Sequence, residues 1–226
     1  MIELQSNLIK KAFWNVYFIN GTAYAGKSTA VKLLAQKYDG LICGENYTER
    51  LFHLIDREHQ PHLSYFETMS GWQEFLSRTP SEYAAWFDGC CREGAQLELI
   101  ELLYLSRMGK KIFVDTNIPL DLLREISDYR HVAIMLSSPS LSVERFFDRD
   151  DPEKQFLLEQ IGQSENPTAT MANFKACIAE INSPKRYREF AESGFFTLVR
   201  QETATVEETL AVLEKHFGLT PSAETK

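Results

Sequence analysis

The chain reads as an α/β protein: a parallel sheet covered on both faces by helices. Short runs rich in β-branched and aromatic residues, at 15–20, 41–43, 111–115, 131–136 and 195–199, alternate with segments of helical periodicity. The first run passes directly into Gly21-Thr22-Ala23-Tyr24-Ala25-Gly26-Lys27-Ser28, which fits G-x-x-x-x-G-K-[ST], and then into a helix. The chain has 226 residues, of which 44% are hydrophobic, a size and composition that suit one large domain with a proper core.

Each element has its own justification. Residues 15–20, Asn-Val-Tyr-Phe-Ile-Asn, lack polar alternation and read as a strand buried on both faces. From 28 to 37, Ala30, Val31, Leu33 and Leu34 form one apolar stripe with Lys32 and Gln36 between them, and Asp39-Gly40 ends the helix. The second strand is short, 41–43. After it, 44–80 holds Tyr47, Phe52, Tyr65, Phe66, Trp72 and Phe75 in a helical pattern broken at Pro61 and Gly71. These aromatics suit either a stacked planar ligand or a core for local helices. A long helix is expected over 81–108, opened by Thr79-Pro80-Ser81-Glu82 and closed by Gly109. The last helix is expected over 206–217, and 220–226 is polar.

Composition narrows the function classes. The net charge of −8 argues against a nucleic-acid-binding surface over the whole domain. No apolar run reaches about 18 residues, so no membrane span is expected, and 1–11 lacks the apolar core of a signal peptide. A cytoplasmic protein with reduced thiols is expected: Cys43, Cys90, Cys91 and Cys177 form no C-x-x-C pair. His53, His59 and His62 match no familiar zinc spacing and read as solvated or hydrogen-bonding residues.

In the loop motif, successive backbone N–H groups cradle phosphate oxygens, and the positive end of the following helix faces the same anion. Gly21, Thr22, Ala23, Tyr24, Ala25, Gly26, Lys27, Ser28 and Thr29 are the candidate nucleotide contacts. Lys27 reaches the β/γ-phosphates, and the Ser28 hydroxyl is a Mg²⁺ ligand. Tyr24 is bulky for this loop and either covers the nucleotide or points to solvent.

In parallel sheets ligands bind outside the carboxyl ends of the strands, and further candidates lie there: Glu45, Asp115, Ser137, Ser138 and Arg200. Asp115 ends an apolar strand; it is a candidate Mg²⁺ ligand or orienter of a substrate hydroxyl, or else a cap for the next turn. Glu45 is a candidate base for an acceptor hydroxyl, with an exposed surface carboxylate as the alternative. Arg145 and Arg149, one helical turn apart, can clamp phosphate oxygens, or pair with Asp148, Asp150 and Asp151 at the surface. Residues 184–188 form a small basic cluster that reads as a solvated helix start, and 200–203 offer a loop for an adenine ring.

With these residues the chain resembles the P-loop small-molecule kinases, a group that includes shikimate kinase, nucleoside monophosphate kinases and chloramphenicol phosphotransferase. The resemblance rests on 18–29, on Ile112-Phe113-Val114-Asp115, on the Arg145/Arg149 segment and on the closing strand, loop and helix at 195–217. It implies a three-layer P-loop NTPase fold with strand order 2-3-1-4-5, which puts Asp115 beside the phosphate loop. Within a single domain, 1–226, it further implies an acceptor-side insertion at about 44–108 and a lid at about 139–165 carrying Arg145 and Arg149. A carboxylate after the second strand corresponds to Glu45. No Asn-Lys-x-Asp motif, and no Asp-x-x-Gly after the third strand, points to a GTPase. The expected function is an ATP- and Mg²⁺-dependent kinase acting on a small-molecule acceptor such as a nucleoside, an alcohol or an antibiotic. The alternatives are a nucleotide-binding regulatory module and a polynucleotide 5′-hydroxyl kinase. A monophosphate acceptor is not favoured, because Arg50, Arg57, Arg78 and Arg92 form no readable anion pocket in the insertion.

Overall fold

The computed structural model describes residues 5–144, 146–147, 152–201 and 203–219. Arg145, Arg149, the acids at 148, 150 and 151, and the tail 220–226 lie outside the described residues. Along the chain run α1 (Ser6–Ala12), β1 (Val16–Gly21), α2 (Lys27–Lys37), β2 (Leu41–Cys43), α3 (Tyr65–Thr68), α4 (Trp72–Leu76), α5 (Pro80–Ser106) and β3 (Ile112–Asp115). There follow α6 (Leu120–Ile126), β4 (Val132–Leu136), α7 (Pro139–Glu144), α8 (Pro152–Gly162), α9 (Pro167–Ile181), α10 (Pro184–Ala191), β5 (Phe196–Val199) and α11 (Val206–Phe217).

The elements form two compact units. The first comprises the chain up to His53, Gly94–Ser137 and the chain from Arg188; the second comprises Leu54–Glu93 and Ser138–Tyr187. The second unit thus draws on the expected insertion and on the stretch that includes the expected lid.

The first unit holds a five-stranded sheet in the order β2-β3-β1-β4-β5, every pairing parallel. This is the order that the resemblance implies. All of β1 and β4 is buried, as the unbroken apolar runs require. Alternate side chains leave β1 on opposite faces. Tyr17 and Ile19 join Val31 and Leu34 of α2 and Leu213 and Phe217 of α11 in one core. Phe18 points the other way, with its ring centroid 6.2 Å from that of Phe13. The α11 helix is fixed at both ends: Thr205 and Glu208 form a reciprocal capping box, and Gly218 stops it at φ 64°.

The second unit has its own core. Phe75, Leu76 and Tyr83 pack with Ile161, Phe174, Cys177 and Ile178, and Tyr65, Trp72 and Trp86 pack against them. Tyr65, Trp72 and Phe75 of 44–80 therefore serve as local core, whereas Phe52 and Phe66 are exposed. The Arg78 guanidinium lies 3.9 Å from the Tyr65 ring centroid. The basic cluster at 184–188 does begin a helix, and Arg186 makes two 2.7 Å hydrogen bonds to the Asp88 carboxylate. Among the described residues no helix is long and apolar enough to cross a membrane.

Gly21 ends β1 at φ 129°, and a Cβ there would fall 1.9 Å from the Met135 carbonyl oxygen of β4. Because the obstacle is backbone, the strand pair itself would have to part. Gly21→Ala is therefore expected to cost at least about 2 kcal/mol of unfolding free energy. Gly109→Ala, at φ 71° with open space around it, is expected to cost only about 1 kcal/mol. Urea unfolding of both variants tests this; equal losses would contradict the close-approach account.

Candidate functional site

Residues 21–28 lie where β1 gives way to α2, at the carboxyl edge of the sheet. Tyr24 and Gly26 both take left-handed backbone conformations, φ 62° and 94°, which turn the chain between strand and helix. Three successive loop carbonyls are engaged by donors. Lys27 Nζ donates to the Thr22 oxygen at 3.2 Å, Ser137 Oγ to that of Ala23 at 2.5 Å, and Arg200 to that of Tyr24 at 2.7 Å. The Thr22 amide is spent on Met135 O at 3.0 Å, and its hydroxyl accepts the Ser137 N–H at 2.7 Å. The α2 helix begins without a side-chain cap, and its first backbone bond runs from Ala30 to Gly26. The amides of its first turn thus have no partner within the helix.

Asp115 ends β3, in register with Ile19 of β1. Its carboxylate accepts a 2.6 Å hydrogen bond from Ser28 Oγ and lies 3.9 Å from Lys27 Nζ. The Lys27 and Asp115 side chains are only 13% and 11% exposed, so this attraction is weakly screened by solvent. The strand register thus brings together three of the sequence-derived candidates: Lys27, Ser28 and Asp115. Ser137 and Arg200 hold the loop from the ends of β4 and β5. Ser138 belongs to the second unit, where its hydroxyl lies 3.0 Å from that of Ser140.

Glu45 lies exposed in the turn after β2. A different carboxylate occupies the interior nearby. Glu98, on the part of α5 that belongs to the first unit, accepts hydrogen bonds on Oε2 from Tyr47 OH at 3.0 Å and from Thr116 Oγ1 at 2.8 Å. Burial pushes its carboxyl up to about 7, against the two hydrogen bonds that lower it, and the Asp115 charge raises it further. The same burial and the Glu98 charge drive the Tyr47 hydroxyl far above the ordinary tyrosine range. One turn on, buried Glu101 is clasped by Arg50 at 2.6 Å. Sequence reasoning missed Glu98 because a glutamate in a mixed polar helix looks like part of a solvated face. Its spacing of three from Glu101 was the one available signal of a shared face.

The three histidines go to separate partners. His53 bonds the Arg50 carbonyl at 2.8 Å, His59 pairs with Asp56, and His62 bonds Glu93. All four cysteines are free thiols.

Comparison with known proteins adds no relative: no family model matches the chain, and no curated protein or solved structure matches it significantly.

The Glu98 environment makes stability depend on pH. A carboxyl raised from 4.5 to about 7 on folding contributes most below 4.5, and that contribution is lost as pH rises through 7. Glutamine can accept both hydrogen bonds without carrying a charge. The melting temperature of Glu98→Gln minus that of the wild type is therefore expected to be larger at pH 8 than at pH 5. An equal difference at both pH values would contradict a carboxyl raised by burial.

Proposed function

We propose that the protein is an ATP- and Mg²⁺-dependent phosphotransferase of the P-loop NTPase fold, passing the γ-phosphoryl group to the hydroxyl of a small molecule. The observation that carries the reading is the convergence of Lys27, Ser28 and Asp115 at the start of α2, beside a loop whose carbonyls are held by other groups.

The donor set suits magnesium. Mg²⁺ takes hard oxygen ligands, keeps several waters and needs only one or two carboxylates. Ser28 Oγ and the Asp115 carboxylate, 2.6 Å apart, offer such oxygens at one point. Those two residues would hold the ion, whose charge would offset that of the β- and γ-oxygens. The amides of 23–29 would hold the phosphates, with the helix dipole favouring the same negative charge. Lys27 would exchange the Thr22 carbonyl for a phosphate oxygen, a short movement from its present seat.

In the transfer, the bond between Pγ and the bridging oxygen breaks and ADP leaves with that oxygen. The acceptor oxygen bonds Pγ, and its proton passes to a carboxylate. Such a transfer needs little covalent help from the protein, so positioning and charge carry the catalysis.

Lys27→Ala removes the cation that lies beside Asp115 at the start of α2. Acceptor-stimulated ATP turnover is expected to fall at least about 100-fold, the scale of losing a major transition-state donor, with the melting temperature little changed. Turnover can be measured with Mg²⁺ over a panel of nucleosides, sugars and phenicol- or aminoglycoside-type antibiotics. A variant that retains near-wild-type transfer would overturn this reading.

A further inference from the structure

We infer that Glu98, rather than exposed Glu45, is the carboxylate that accepts the hydrogen bond of the acceptor hydroxyl and takes its proton during transfer. The inference rests on the phosphotransfer reading and deepens it. The geometry is contained in the first unit. Thr116 follows Asp115 directly, and its amide donates to the Ile19 carbonyl of β1 at 3.1 Å, so its side chain stands at the carboxyl edge of the sheet. Its hydroxyl accepts the Ile118 N–H at 2.9 Å, which commits its single proton to Glu98 at 2.8 Å. Tyr47, in the turn after β2, supplies the second donor.

Both donors fall on Oε2. No described residue donates to Oε1, and that atom is not among the fully enclosed polar atoms that lack a partner, so its lone pairs are available. A general base needs this arrangement: one oxygen fixed by the protein, the other open to the reacting proton. The charged and titratable groups around it are known. Cys43 of β2, Tyr47, Asp115 of β3 and Glu101 of α5 all interact with this cluster, and Arg50 neutralises Glu101. Asp115 is engaged by Ser28 and Lys27, which leaves Glu98 as the carboxylate of the cluster with an uncommitted oxygen.

A purely structural role fits poorly. An anchor for Tyr47 and Thr116 needs only a hydrogen-bond acceptor, and a glutamine would provide one without a buried charge. Burial that disfavours the charged form also brings a carboxyl toward neutrality, where a base works best at physiological pH.

Glu98→Gln separates the two roles. The amide oxygen can keep both hydrogen bonds, while an NH₂ replaces Oε1 and cannot take a proton. The experiment measures acceptor-stimulated turnover and ATP affinity for the wild type, Glu98→Gln, Glu98→Asp and Glu45→Gln, with melting temperatures for each. The expected result is a loss in kcat of about 100-fold or more for Glu98→Gln. ATP affinity should stay within about twofold, melting should be no lower, and Glu98→Asp should recover part of the rate. Near-wild-type kcat in Glu98→Gln, or a loss that falls on Glu45→Gln instead, would overturn the inference and leave the phosphotransfer reading standing. A wild-type protein that binds no ATP, or binds it with no acceptor stimulation across the panel, would overturn that reading and the inference with it.

Discussion

The backbone of β1 runs against that of β4 at Gly21 with no room for a side chain. From that contact the geometry of the loop follows. The Thr22 amide reaches the Met135 carbonyl, its hydroxyl meets the Ser137 amide, and Ser137 reaches back to the Ala23 carbonyl. The end of β5 adds a fourth tie, since the Arg200 amide bonds Leu136 O while its side chain holds the Tyr24 carbonyl. Loop carbonyls occupied in this way favour amides turned toward an anion. In the phosphotransfer reading, the affinity of the site for phosphate would rest first on these amides.

Charge is then distributed along the sheet edge. Lys27 and Asp115 face each other across the β1–β3 pair, and Ser28 completes a small polar cluster. Glu98 accepts from Thr116, the residue that follows Asp115, and from Tyr47. Two carboxylates on one edge thus have different environments, one beside a cation and one fixed by neutral hydroxyls. Environments that differ in this way let the same chemical group serve two purposes. In the phosphotransfer reading these are holding the metal and receiving a proton.

Much of this was legible in the sequence, for identifiable reasons. Strands buried on both faces appear as unbroken apolar runs, so β1, β3 and β4 fall within a residue of their expected limits. The motif ties backbone geometry to residue identity at Gly21, Gly26 and Lys27, which is why the loop could be read at all. The two-unit organisation was not legible, because each unit is assembled from separated segments and local periodicity carries no record of which segments meet. Glu98 was hidden for a related reason: its burial is set by Tyr47 and Thr116, which lie 51 and 18 residues away. A Cβ at Gly89 of α5 would fall 2.3 Å from the His62 ring, another approach that local periodicity does not record.

The central claim is that residues 21–29 recognise the phosphates of a nucleotide. Titration calorimetry of the full chain with ATP, ADP and adenosine in Mg²⁺ addresses it most directly. The account predicts measurable binding that weakens from ATP to ADP, near-complete loss with adenosine, and weaker ATP binding in Lys27→Ala. Adenosine binding as tightly as ATP, or ATP affinity unaffected by loss of Lys27, would contradict it.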